Sequence, residues 1–273
     1  MSDSALNTQS VQATMLLPLW GRAKYSHSNP DILDDAESKR IIEKSGINFN
    51  HIEQGFGEFS GICYLVRARK IDDAIRGYIK HHPRATVVNI GAGMDTTFSR
   101  VDNGSIRWYN LDLPDAIAFR QSYIPDSPRN HSITKSFLDL SWFDDIAFNR
   151  EDGIIFVSGG VFHYFHEEDI NKVFCAMASR FPGGELYFDA ESQIALNGSN
   201  HMVKKTGNHG AMMYFAVNNA AMFEQWSSHL RIVSYEPGFK GIKPRKHWSF
   251  RVRVTAWLFG FIKNMSFVHL RFV

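Results

Sequence analysis

Residues Thr86, Val87, Val88, Asn89 and Ile90 form a mostly β-branched run that halts at Gly91, Ala92 and Gly93. β-Branched residues favour a strand, and the glycines let the backbone turn tightly beneath a ligand. A second strand-like run covers residues 106–111 and is closed by Asp112. Strand, glycine turn, helix and a second strand ending in a carboxylate form the nucleotide-binding half of a Rossmann-like sheet. The carboxylate of Asp112 can accept from both hydroxyls of a ribose, so the ligand is expected to be built on adenosine.

The turn leaves two ligands open. A dinucleotide fingerprint has a third glycine where this chain has Thr96, and Asp95 beside it would meet a pyrophosphate with negative charge. S-adenosylmethionine carries no phosphate; its sulfonium and amino groups tolerate a nearby carboxylate. The glycines alone do not separate this cofactor from a nicotinamide dinucleotide.

The remaining pattern is α/β. Residues 31–42 and 64–78 carry helical periods, the second with Leu65, Ala68, Ile71, Ala74, Ile75 and Tyr78 on one side. Strand-like runs then follow at 86–91, 106–112, 132–137, 153–158 and 185–189, with two more at 230–235 and 266–273. Their alternation with helices predicts a mostly parallel, doubly wound sheet. The division expected is a helical N-terminal extension over residues 1–80 and a Rossmann-like domain over 81–273. An insertion around 192–222 is read as a mobile loop covering the acceptor.

A formal charge of +2 gives no case for nucleic acid. The 22 phenylalanines are read chiefly as core filling. Cys63 and Cys175 lack metal-type spacing and read as buried free thiols in a reducing cytoplasm, and no metal is expected. Residues 1–12 lack the pattern of a signal peptide. The late apolar stretch 254–262 is too short for a membrane span. It reads as a helix packed on the sheet rather than one lying on a membrane.

Several ordered motifs together resemble the leucine carboxyl methyltransferase family, which includes O-methyltransferases of polyketide biosynthesis. They fall at residues 14–23, 67–73 and 91–98, at Asp112-Leu113-Pro114, at Asp139-Leu140 with Trp142, and at 160–165 and 181–184. The resemblance implies the class I methyltransferase fold, a seven-stranded mostly parallel sheet with an antiparallel last strand. It also implies S-adenosylmethionine as cofactor. Gly91, Ala92 and Gly93 would bring bare backbone to its methionine part, and Asp112 with Leu113 would meet the ribose. Arg67 matches a position where an arginine meets the cofactor carboxylate, a task suited to its planar fork. Asp139 and Leu140 match the adenine edge.

One position departs from the family pattern. The branch that methylates a protein C-terminus has an acid facing the cofactor's amino group where this chain has Gly159. A backbone carbonyl, at Gly91 or Gly159, would have to serve instead. This favours a small-molecule acceptor over a protein one.

Methyl transfer needs a placed acceptor oxygen, with a base only where that oxygen holds a proton. His163 follows the fourth strand, where the acceptor enters this fold, and Tyr164 adjoins it. Lys24 and Tyr25 on one side, and His209, Met213 and Tyr214 on the other, are expected to close the acceptor pocket. The resulting expectation is a cytoplasmic O-methyltransferase acting on a carboxylate or hydroxyl of a small molecule, polyketide-like ones included, with oligomeric state open. A nicotinamide-dependent oxidoreductase and a non-catalytic S-adenosylmethionine-binding protein are the alternatives.

Overall fold

The computed structural model describes residues 15–47, 57–206 and 211–273. Three helices precede the sheet: α1 (Leu16–Ser26), α2 (Ala36–Ser45) and α3 (Glu58–Ile79). There follow β1 (Thr86–Ile90), α4 (Thr97–Val101), β2 (Arg107–Asp112), α5 (Pro114–Gln121) and β3 (Asn130–Thr134). Next come β4 (Ile154–Ser158), α6 (Glu167–Arg180), β5 (Glu185–Glu191) and α7 (Gln193–Thr206). The chain continues through α8 (Ala221–Trp226), β6 (Leu230–Pro237), α9 (Phe250–Leu258) and β7 (Met265–Phe272).

The seven strands form one sheet in the order β3-β2-β1-β4-β5-β7-β6. The first five are parallel, and β7 inserts antiparallel between β5 and β6. Register places four turns on one edge. Ile90 lies opposite Leu111 on one side and Ser158 on the other, and Ser158 lies opposite Phe188. Gly91, Asp112, Gly159 and Asp189 therefore leave the sheet side by side, at the carboxyl ends of the strands where ligands bind in open α/β sheets.

Strand alternation sends neighbouring residues to opposite cores. Val88, Ile90, Phe156 and Phe188 face α6 through Val173, Phe174 and Met177. Val87, Ile155 and Val157 face α3 through Leu65, Ile71 and Ile75. Helix α3 thus belongs to the sheet's own core, not to a detached extension. Phenylalanine fills much of the first core: the rings of Phe162, Phe174 and Phe188 meet one another at 5.1–5.5 Å.

Three local expectations are corrected. The helix expected from residue 31 begins at Ala36, because Asp35 turns its carboxylate back onto the Ser38 N–H at 3.1 Å and caps it. Strand β3 spans 130–134 rather than 132–137; its partner β2 ends at Asp112, opposite Thr134. Residues 197–206, read as a mobile loop, lie within helix α7. The Asn200 side chain grips both the N–H and the C=O of Met213, at 2.9 and 2.8 Å, and ties the returning chain to that helix.

Candidate active site

Gly91 and Gly93 take φ of +66° and +42°. A Cβ on Gly91 would stand 2.3 Å from Val161 Cγ2, and one on Gly93 would stand 3.0 Å from Met15 Cβ. Both conformation and crowding therefore exclude a side chain at the turn. The N–H groups of Gly91 and Ala92 donate to the Leu111 carbonyl. Those of Gly93 and Leu113 donate to the two oxygens of Asp112, each at 2.7 Å. The acid is locked in place with lone pairs left for further donors. Burial pushes its pKa up, against the pull of the two amide donors.

Asp95 and Thr96, the residues that depart from a dinucleotide turn, have structural partners. The Asp95 carboxylate accepts the Thr97 N–H and hydroxyl at the start of α4. The Thr96 hydroxyl donates to Asp35 at 2.7 Å and accepts from Arg100 at 2.6 Å. Asp35 also pairs with Arg22 at 2.9 Å, and Arg100 forks onto Asp72 of α3 at 2.8 and 2.9 Å. Burial alone would raise the Asp35 carboxyl, but Arg22 and Arg100, helped by Ser38 and Thr96, hold it at about 2. Arg22 also donates to the Met94 carbonyl at 2.8 Å. This buried network fastens α1, α2 and α3 onto the glycine turn.

From the other side, buried Arg120 of α5 donates to the carbonyls of Gly93 and Asp95 at 2.9 and 2.7 Å. Burial lowers its pKa to about 10. The sequence reading missed both this clamp and the network. A surface-type arginine pattern holds no local sign of burial.

Arg67 lies against the turn after β4. Its Nη2 meets Asp189 Oδ2 at 2.8 Å, and Asp189 Oδ1 accepts the Gly160 N–H at 2.6 Å. Cβ atoms on Gly159 and Gly160 would approach Arg67 to 3.1 and 2.5 Å, so these glycines make room for the guanidinium. Asp189 also escaped the sequence reading, although a carboxylate at a strand's end was visible there. His163 sits on the turn Phe162–Tyr164 in the same cluster and is only 7% exposed. Burial pushes its imidazole down to about 4; Asp189 opposes that shift and Arg67 adds to it. The rings of His163 and Tyr164 meet edge-on at 4.4 Å.

The remaining candidates divide. The His163 carbonyl accepts the N–H groups of Tyr214 and Phe215 at 2.7 and 3.3 Å, which brings the Met213–Tyr214 segment to the site. Tyr214 also meets the His166 ring at 4.3 Å. Tyr25 is packed between helices: a Cβ on Gly61 would lie 2.2 Å from its ring. Lys24 is exposed over the Trp20 ring. Asp139 is exposed and accepts the Ser141 N–H at 3.0 Å, capping the turn Leu140–Asp145, while Leu140 packs on the core. His209 lies outside the described residues.

S-adenosylmethionine fits these residues. The glycine turn presents backbone where a Cβ would intrude, Asp112 is fixed at the end of β2, and the buried Nε of Arg67 has no hydrogen-bond partner. The leucine carboxyl methyltransferase profile matches residues 16–178, more than half of the chain. The chain is 26% identical over 181 residues to the tetracenomycin polyketide synthesis O-methyltransferase TcmP of Streptomyces glaucescens, covering 66% of each protein. The S-adenosyl-L-methionine-dependent methyltransferase dpfgK of Gibberella zeae is 23% identical over 226 residues, covering 75% of this chain and 76% of that one. A solved structure from Thermobifida fusca shares the fold at a TM-score of 0.62, with 12% identity over 99% of both chains. The nicotinamide alternative is not favoured. The chain belongs to the leucine carboxyl methyltransferase family, whose cofactor is S-adenosylmethionine.

Proposed function

We propose that this protein transfers the cofactor's methyl group to an oxygen of a small-molecule acceptor, a carboxylate in preference to a hydroxyl, in the cytoplasm. When bound, S-adenosylmethionine supplies a methyl group already activated by positive sulfur. The chain's residues then have to bind, orient and exclude water. Gly91, Ala92, Gly93, Asp112, Leu113 and Arg67 are assigned to the cofactor, with Asp139 and Leu140 at its adenine end. His163, Tyr164, Met213 and Tyr214 are assigned to the acceptor side. Of the segment up to residue 80, α1 and α2 act as a cap while α3 packs on the sheet, and the insertion around 192–222 covers the acceptor.

The observation that carries the carboxylate reading is the burial of His163 at the end of β4. Held near 4, its imidazole is a poor receiver for the proton of a phenol, whose pKa is near ~10. A carboxylate needs no such transfer, and the neutral ring can donate a hydrogen bond to it. The likeness to a polyketide-synthesis O-methyltransferase supports an aromatic or polyketide-like acid. Gly159, packed on Arg67 with no acid of its own, supports a small acceptor over a protein C-terminus.

The test incubates the protein and cofactor with aromatic acids and matched phenols. Released S-adenosylhomocysteine reports turnover, and mild alkali then reports the bond formed. An alkali-labile methyl ester is expected. A methyl group that survives alkali is an ether and overturns the carboxylate preference.

A further inference from the structure

Between β6 and β7 the chain makes an excursion carrying helix α9, and its outer face has no assigned role. Phe250, Val254, Trp257, Leu258 and Phe261 recur at the spacing of one helical stripe. The backbone bond from the Phe261 N–H to the Leu258 carbonyl at 2.9 Å carries the helical turn past the end of α9. The whole stripe faces solvent: Phe250 is 76% exposed, Phe261 70% and Trp257 57%. Val252 and Ala256 on the opposite side are buried, so both faces of this helix are apolar. The expectation of a helix simply packed on the core accounts for only one of them. The exposed face bounds a shallow groove of about 240 Å³ lined by Pro244, Phe250, Arg253, Val254 and Trp257.

The surroundings are mainly cationic, with Glu58 as the acid at the start of α9. At 100° per residue, Arg251 and Arg253 stand on opposite flanks of the stripe. Lys243 and Lys246 precede it and Lys263 follows. No aspartate or glutamate occurs anywhere after Glu236. Among the described residues, no carboxylate lies within ion-pair distance of Lys243, Lys246, Arg251 or Arg253. The near-neutral total charge conceals this segregation.

We propose that this face docks the protein on the surface of an anionic lipid bilayer. Aromatic and aliphatic side chains that stand out from the surface enter the headgroup boundary, and flanking arginines meet anionic headgroups while their stems stay apolar. A second copy is a poor occupant, because a two-fold contact would set Arg251 and Arg253 against their own counterparts. The face is preformed. The Ser249 N–H at the start of α9 donates to Glu58 at 3.2 Å, and the Trp248 indole N–H donates to Asn29 at 2.7 Å. Among the described residues no helix is long and apolar enough to cross a membrane, so docking is peripheral.

The test is co-sedimentation of the full chain with vesicles of phosphatidylcholine alone, or with about a third phosphatidylglycerol. Binding to the anionic vesicles is expected, weaker by at least tenfold without phosphatidylglycerol, and weakening as salt rises from about 0.1 to about 0.5 M. Arg251→Gln with Arg253→Gln should weaken binding by about 25-fold, from about fivefold for each cation removed. Trp257→Ala with Phe261→Ala should abolish it. Unchanged melting temperature and calorimetric binding of S-adenosylhomocysteine show that these variants fold. Absence of vesicle binding, binding indifferent to both pairs of substitutions, or a dimer that Trp257→Ala with Phe261→Ala disperses would each overturn the proposal.

Discussion

The guanidinium of Arg67 meets Asp189 at 2.8 Å, while the other oxygen of that carboxylate holds the Gly160 N–H at 2.6 Å. One acid on β5 thus links helix α3 to the turn after β4. Removing one member of a fully buried pair costs about 3–5 kcal/mol because it strands a charge. The Arg67 side chain keeps 17% exposure, so about 2 kcal/mol is expected here after allowing for solvent screening. Asp189→Asn should lower the unfolding free energy by that amount in urea melts. Arg67→Met combined with Asp189→Asn should cost less than the two single changes together. Strict additivity would mean that the pair does not couple.

Gly91 and Val161 give a second, steric prediction. An alanine at 91 would suffer both the positive φ and a 2.3 Å approach to the valine methyl. Gly91→Ala should destabilise the protein by about 1–3 kcal/mol and weaken cofactor binding at least tenfold. Adding Val161→Ala removes the two methyl contacts but leaves the residue 161 Cβ at 3.1 Å and the backbone strain in place. Calorimetry should therefore show partial recovery of affinity. Full recovery would mean that φ at 91 costs nothing.

The parallel sheet was legible because β1, β4 and β5 read as apolar runs before a polar or glycine stop; β3, Asn130–Thr134, is mostly polar and its bounds were misread. The glycine turn and Asp112 were legible because their chemistry is local in sequence. Arg22, Asp35, Asp72 and Arg100 were not, since their meaning lies in contacts between distant segments. The 197–206 helix was hidden by Gly198, Ser199 and Asn200, residues with poor helix propensity that tertiary contacts overrule. Ser199 donates to Glu191 at 3.0 Å and Asn200 holds Met213. The periodicity of α9 was present in the sequence, but periodicity alone cannot tell a buried stripe from an exposed one.

Asp139 has two possible tasks, and substitution separates them. It caps the turn Leu140–Asp145 through the Ser141 N–H. Serine is about as good an N-cap as aspartate but too short to reach an adenine amino group as well. Asp139→Ser should keep the melting temperature and lower affinity for S-adenosylhomocysteine about tenfold, the loss of one charge-assisted hydrogen bond. Asp139→Ala should lose both, with a lower melting temperature as well. Unchanged affinity in both variants would leave Asp139 a cap alone.

His163 sets the last prediction, a dependence on pH. Burial takes its imidazole from the ordinary 6.5 down to about 4. Between those values the unfolded chain binds a proton that the folded chain refuses, so acid favours unfolding. The contribution of neutral His163 is complete above about pH 6.5 and is lost as pH falls towards about 4, for a total near 3 kcal/mol. His163→Gln cannot titrate, and its stability should fall less steeply across that window in urea melts at about pH 4.5 and about pH 7. Turnover on a carboxylate should be flat from about pH 6 to about pH 8, because the ring is already neutral and no proton has to leave the acceptor. His163→Gln should then cost far less than the roughly 10²–10⁴-fold worth of a general base. An apparent pKa near the ordinary 6.5 in kcat/KM, vanishing in His163→Gln, would instead identify a solvated histidine that takes a proton from a hydroxyl acceptor.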